Sequence, residues 1–218
     1  GAESLQRRAL EASERTLGPD HEDTVDSLWS LATLLRDKGD HEGAEPLFRR
    51  ELEACERTKG SDHEDTLGSV INLGALLSEM GDYEGAESLQ RRALEASERT
   101  LGPDNDHTLT AVGNLGLLLS DMGDYEGAEP LYRRALEARE RTLGPDHEDT
   151  LTSVNNLGLL LSDMGDNEGA EPLYRRALEA SERTLGPDHP DTLTSVNNLG
   201  VLLSNMGDYK GAEPLYRQ

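Results

Sequence analysis

Basic side chains are scarce in this chain of 218 residues: 21 Lys and Arg stand against 44 Asp and Glu, a formal charge of −23. A polyphosphate partner needs clustered Lys and Arg, so nucleic acid is set aside, and anionic membrane surfaces are disfavoured for the same reason. The excess of acid favours solubility and a basic protein or peptide partner. Cysteine is almost missing. Cys55 stands alone, with Ser13, Ser97, Arg139 and Ser181 at the corresponding places elsewhere in the chain. It has no disulfide partner within the chain, which fits a reduced, intracellular setting, and we expect a cytoplasmic protein. No apolar run is long enough to span a bilayer, and no signal peptide is visible. Aromatics make up 4% and hydrophobic residues 34%. That is thin for a compact sphere but sufficient for an extended array with a narrow core. Regular Leu and Ala spacing argues against disorder, the other reading of such a composition.

What the chain has instead is repetition. Residues 127–168 return as 169–210 with six differences in 42 positions: Arg139/Ser181, Glu148/Pro190, Leu159/Val201, Asp163/Asn205, Asn167/Tyr209 and Glu168/Lys210. The frame covers residues 1–218 as a single array of repeats 1–42, 43–84, 85–126, 127–168 and 169–210, with a partial repeat 211–218. The chain opens in mid-repeat, which reads as a fragment of a longer protein. A fixed period in this range means a stacked array whose units bury their apolar faces only against neighbours.

Each unit has two helical stretches. In residues 146–185, Asp146 and Asp149 have the spacing of an N-cap and an acidic N3 residue. Leu151, Val154, Leu157, Leu160, Leu161 and Met164 then form a stripe of helical period. Gly165 should end this helix at C′, and Asp166 should cap the next. The second helix places Ala170, Leu173, Tyr174, Ala177, Leu178 and Leu185 on one face, with Gly186-Pro187 as its stop. Glu171–Arg175 and Arg175–Glu179 would be surface pairs worth about 0.2–0.5 kcal/mol each. Small residues mark close helix approach: Gly74, Gly116, Gly158 and Gly200 in the first helix, Ala9, Ala93, Ala135 and Ala177 in the second. Pro46, Pro130, Pro172 and Pro214 fall within the second helix, where an interior proline costs about 3 kcal/mol. Either that helix starts later than its cap implies or its first turn is bent.

The pattern Val154, Leu157, Gly158, Leu161, Gly165, Ala170, Tyr174, Ala177, Leu178 resembles the tetratricopeptide repeat, in every copy and across the whole chain. The phrases LGPDHPDT and NLGLLLSDMGDYEGAEPLYRRAL look most like the 42-residue repeats of kinesin light chains and their relatives. The resemblance implies an all-α fold, a right-handed superhelical solenoid of antiparallel helix hairpins. It departs from the family in having Leu28, Val70, Val112, Val154 and Val196 where a Trp is usual. The second-helix aromatic is Phe48, Tyr132, Tyr174 and Tyr216 but Gln6 and Gln90 in two copies. Glu51 stands where the other copies have Ala. The second copy, with Glu51, Lys59, Ser61 and Gly68, is the least regular and is expected to be the least stable.

The resemblance also implies that first helices line a concave groove that takes an extended peptide. Asn155, Asn156, Leu159, Ser162 and Asp163 should face it, followed by Asn197, Asn198, Val201, Ser204 and Asn205. Asn72, Asn114, Asn156 and Asn198 form a ladder, broken by Ser30 in the first copy. An amide both donates and accepts, so it can pair with a peptide backbone without reading its sequence. The alternative is that these amides bond to a neighbouring helix or face water. Selectivity would come from Trp29, Thr33, Arg36 and Asp37, then Ile71 and Glu79, then Asp121 and Asp163.

His21, His63, His147 and His189 recur in Asp-His-x-Asp. A metal site would converge three or four ligands at one point, and here successive histidines belong to separate repeats. Helix-start chemistry is the expected role, and no metal or cofactor is assigned. No Ser/His/Asp or Cys/His set is unique in such an array, so no enzyme is expected. Neither end carries a polar capping repeat, so homo-oligomers formed head to tail through uncapped ends are expected. Two functions follow: a protein-interaction scaffold or adaptor, or a structural self-assembling array with no dedicated ligand.

Overall fold

A computed structural model describes residues 1–217. Among these residues there are eleven helices and no strand. They are α1 (Ala2–Leu17), α2 (Glu22–Asp37), α3 (His41–Lys59), α4 (Glu64–Glu79), α5 (Tyr83–Thr100), α6 (Asp106–Asp121), α7 (Tyr125–Thr142), α8 (Glu148–Asp163), α9 (Asn167–Thr184), α10 (Pro190–Asn205) and α11 (Tyr209–Leu215). The chain divides into two compact units, Gly1–Leu118 and Leu119–Gln218, with the boundary inside α6. In the first unit α2 packs on α1 and α3, and α4 on α3 and α5. In the second, α8 packs on α7 and α9, and α10 on α8, α9 and α11.

The hairpin turn is a Schellman motif. In α8–α9 the Asp166 N–H donates to the Leu161 carbonyl at 2.8 Å and the Gly165 N–H to Ser162 at 2.9 Å. Gly165 adopts φ 82°, which a residue with a Cβ rarely tolerates. Asp166 then caps α9, its Oδ1 accepting from Gly169 N–H at 2.9 Å. Met164 belongs to this turn and not to the buried stripe: it is 40% exposed, as is Leu185 at 37% in the turn after α9. Pro172 lies inside α9, which begins at Asn167, so the helix does not start later. The cap fixes the first turn, and the carbonyl left without a partner belongs to exposed Glu168, where water can serve it.

The loop between repeats corrects one expectation. Asp146 is not the cap of α8; His147 is, its Nδ1 accepting from the Asp149 N–H at 3.3 Å. His21, His63 and His189 do the same for α2, α4 and α10, and Asn105 supplies an amide oxygen to His107 N–H at 2.9 Å. Asp146 instead meets Arg183 at 2.5 Å, as Asp20 meets Arg57 at 2.6 Å and Asp62 meets Arg99 at 2.7 Å. Thr150, fully buried, donates its hydroxyl back to the Gly144 carbonyl at 2.8 Å. LGPDHEDT is therefore a loop clamp: threonine closes it, histidine caps the helix, and aspartate ties it to the next second helix.

In the first unit Phe48, Leu28, Leu31, Leu35, Leu73 and Leu76 are among the largest fully buried side chains of the core, joined by Leu10 and Leu118. In the second unit Val154, Leu157, Leu160, Tyr174, Leu199 and Leu202 play the same part. Gly74, Gly158, Gly200, Ala93, Ala135 and Ala177 sit where helices approach, whereas Ala9 in α1 is exposed. A Cβ on Gly158 would lie 2.9 Å from the Tyr174 ring, and one on Gly200 3.0 Å from Tyr216. Burial, with a further push from Asp163, raises the Tyr174 hydroxyl to about 12.

Candidate functional site

Two cavities of similar size lie between consecutive first helices, one in each unit. The cavity of about 380 Å³ in the second unit is walled by α8 and α10 and floored by Ser181 and Leu185 of α9 and the loop after it. Asn155, Asn156 and Leu159 reach it from α8, and Thr194 and Asn198 from α10. Leu159 is 52% exposed, an apolar contact left open beside the amides. Asn156 and Asn198 are half-buried, and among the described residues neither makes a side-chain hydrogen bond to another helix. The Asn155 Oδ1 is buried and has no partner. These amides keep donors and acceptors uncommitted on a surface with room for a ligand.

The equivalent cavity in the first unit, about 370 Å³, lies between α2 and α4. It brings together Trp29 and Asn72, and adds Asp26, Glu51, Cys55 and Gly68. Asn114, on α6, is half-buried, and Arg36 is half-buried in the last turn of α2. Asp163, Asn197 and Asn205 are exposed and lie outside both cavities. Of the residues singled out in the sequence, the structure thus gathers Asn155, Asn156 and Asn198 at one place and Trp29 and Asn72 at another.

Sequence reasoning passed over Asp26, Thr152, Thr194 and the floor residues, because hydroxyls and single acids on a helix look like solvated surface. Glu51 was visible as a break in an Ala column, but as an irregularity and not as part of a site. It is 6% exposed, and burial pushes its carboxyl up to about 7, with a Ser69 hydrogen bond opposing and the nearby Asp26 adding to the rise. Burial also raises the Cys55 thiol, which leaves it largely protonated and a poor nucleophile.

This arrangement defines a helical-hairpin repeat array whose first helices present open cavities. The tetratricopeptide repeat family matches residues 1–57, 27–99, 65–141, 107–182 and 149–218, and the chain belongs to that family. Its fold is similar to the crystal structure of BtubC (BKLC) from P. vanneervenii, with a TM-score of 0.82 and 25% identity over 98% of this chain and 86% of that one. A Podosopora anserina kinesin light chain-like protein with nearly identical TPR-like repeats gives 0.79 at 22% identity, over 92% and 93%. The apo form of RapI gives 0.74 at 14% identity, over 88% and 68%. No curated protein matches. Among the described residues no helix is long and apolar enough to cross a membrane.

Proposed function

We propose that this chain is a protein-interaction scaffold that holds an extended segment of a partner protein along the surface lined by its first helices. Tetratricopeptide repeats generally bind protein partners and generally are not enzymes, and this reading follows that habit. The observation that carries it is the set of half-buried amides, Asn155, Asn156 and Asn198, converging on one cavity with no hydrogen bond spent on neighbouring helices. A partner's backbone amides would satisfy them, and exposed Leu159 would cover an apolar side chain. The acidic charge favours a basic partner, and a cytoplasmic adaptor role fits the sparse, buried cysteine. No catalytic residue, metal or cofactor is part of this reading.

A random peptide library panned on the wild type, with Asn156→Ala/Asn198→Ala as counter-screen, tests it. Peptides enriched on the wild type alone are expected. The double variant should keep its stability within about 0.5 kcal/mol, because these amides hold nothing else together. Enrichment on neither protein, or equally on both, would overturn the proposal.

A second reading, end-to-end self-association, has its own observation. Leu5 is 64% exposed and Tyr216 55%, whereas the equivalent Leu47 and Tyr174 are 9% and 2% exposed. A monomeric mass of this chain by light scattering at every concentration up to about millimolar would remove self-association of these residues.

A further inference from the structure

The two cavities are the same site three repeats apart, and the sequence has rebuilt one of them. Between α8 and α10 the positions read Thr152, Asn155, Ala177 and Thr194; between α2 and α4 they read Asp26, Trp29, Glu51 and Gly68. At these four positions an amide, two hydroxyls and a methyl have become an indole, two carboxylates and a bare backbone, so a lining whose acids are Glu148 and Asp191 is matched by one with five carboxylates and an aromatic wall. Gly68 is not there for close packing, since a Cβ at that position would meet nothing within 4 Å. Its effect is to open the space that a threonine side chain would enter.

Glu51 lies at the bottom of this space. It is 94% buried by its 6% exposure, and its Oε1 accepts a hydrogen bond from Ser69 at 2.9 Å. Its Oε2 has no partner. Ser69 has one hydroxyl proton and three competing acceptors, the others being the Cys55 Sγ at 3.6 Å and the Asp65 carbonyl at 3.1 Å, the latter the bond that Ser153 and Ser195 make in their repeats. So the carboxylate is at best half served, and a buried carboxylate without a counter-charge is costly. Lys59 does not serve it, because its ammonium is paired with Asp65. His107 is likewise turned to Glu64, at 2.7 Å. Glu22, Asp26, Glu51, Glu64 and Asp65 line the cavity against the single cation of Lys59. Trp29, 46% exposed, lines the same cavity, and an indole attracts a cation placed over its ring.

We propose that this cavity is a specificity pocket for one lysine or arginine side chain of the bound partner, with Glu51 as buried counter-ion, Asp26 as a second carboxylate and Trp29 as the aromatic wall. The inference rests on the extended-segment reading above and gives that segment a required basic residue. The rest of the segment would be held by backbone pairing to amides such as Asn72, which borders the same cavity.

Trp29 is the chain's one tryptophan, so its emission reports on this pocket alone. Wild type and Glu51→Ala are titrated at constant ionic strength and about pH 8, where Glu51 is ionised. The probes are the N-acetyl methylamides of lysine, arginine and norleucine. Glu51→Ala restores the residue found at this place in the other copies (Ala9, Ala93, Ala135, Ala177), so the variant is expected to fold. A saturable change with lysine or arginine is expected, absent with norleucine and weakened about tenfold or more in Glu51→Ala. No saturable change, or an equal one in the variant, would overturn the pocket. Panning the peptide library on both proteins separates this inference from the reading it rests on. A basic position enriched on the wild type and lost on Glu51→Ala supports both. Enriched peptides without a basic position overturn the pocket and leave the groove. A saturable titration with no enriched peptide leaves the pocket and removes the extended segment.

Discussion

At the scale of single residues, buried Glu51 ties stability to pH, and the sign can be worked out. Its carboxyl is raised from the ordinary 4.5 to about 7 in the folded chain, chiefly by burial. The folded state therefore holds the proton more tightly than the unfolded state does. Stability from this group is fully present below about pH 4.5 and is lost as pH rises through about 7. A shift of that size corresponds to roughly 3 kcal/mol at mildly alkaline pH. Glu51→Ala should leave the urea midpoint nearly unchanged at about pH 5 and raise it clearly at about pH 8. Equal midpoint shifts at both pH values would show that the carboxyl is not held as described. Gly158 makes the opposite point about space. Its added Cβ would meet the Tyr174 ring at 2.9 Å, and the ring is fixed among buried neighbours. Gly158→Ala should destabilise by about 1–3 kcal/mol, despite alanine's better helix propensity, because overpacking outweighs propensity here. Thermal melts of the variant measure the balance, and an increase in Tm would mean that the ring moves aside freely.

Among helices and loops, most of the fold was legible because the signals there are local. Glycine at C′, aspartate at the next cap and the Leu151–Leu161 stripe each depend on residues within one turn, and each lies where the spacing put it. The misreadings come from partners that are distant in sequence. Asp146 has the spacing of a cap, but Arg183, 37 residues later, claims it, and the neighbouring histidine takes the cap. Arg175 pairs with Glu171 at 2.7 Å as expected, while Arg176 reaches back to Glu140 in the preceding repeat at 2.5 Å. No pattern within one repeat contains those pairings. The same limit hid the cavity: its walls come from two consecutive first helices and its floor from the second helix between them, so Thr152 and Thr194 come to line one space only after stacking. Two substitutions separate cap from ion pair. His147→Ala should cost about 1 kcal/mol at any ionic strength, as loss of a capping acceptor does. Asp146→Ala should cost less, about 0.2–1 kcal/mol, and that cost should fade in high salt as a surface ion pair's does. Denaturant midpoints at low and high salt distinguish them; a salt-sensitive His147→Ala would return the capping role to the aspartate.

For the molecule as a whole, stability in a repeat array is close to a sum of unit and nearest-neighbour terms, so one poor unit leaves a local weakness. The second copy carries buried Glu51 with an unpartnered oxygen. The third places Gln90, 2% exposed with its Oε1 unpartnered, over Gly74, where Tyr174 covers Gly158. Both defects fall on the first unit, near the α3–α4 and α4–α5 contacts. An internal hairpin loses two interfaces on opening and a terminal helix only one, so α1 and α11 should still exchange their amide hydrogens first. Among internal elements, however, a penalty of roughly 3 kcal/mol at Glu51 amounts to about a hundredfold in an opening equilibrium. Hydrogen exchange at about pH 8 should therefore find α3 and α4 less protected than α9 and α10, the helices that repeat them later in the chain. Glu51→Ala should close most of that gap, and a bound basic segment should close it too, since a cation on Oε2 removes the same unpaired charge. Equal protection of the two pairs of helices in the wild type would mean that the carboxyl's cost is spread along the array and that the repeats do not open one at a time.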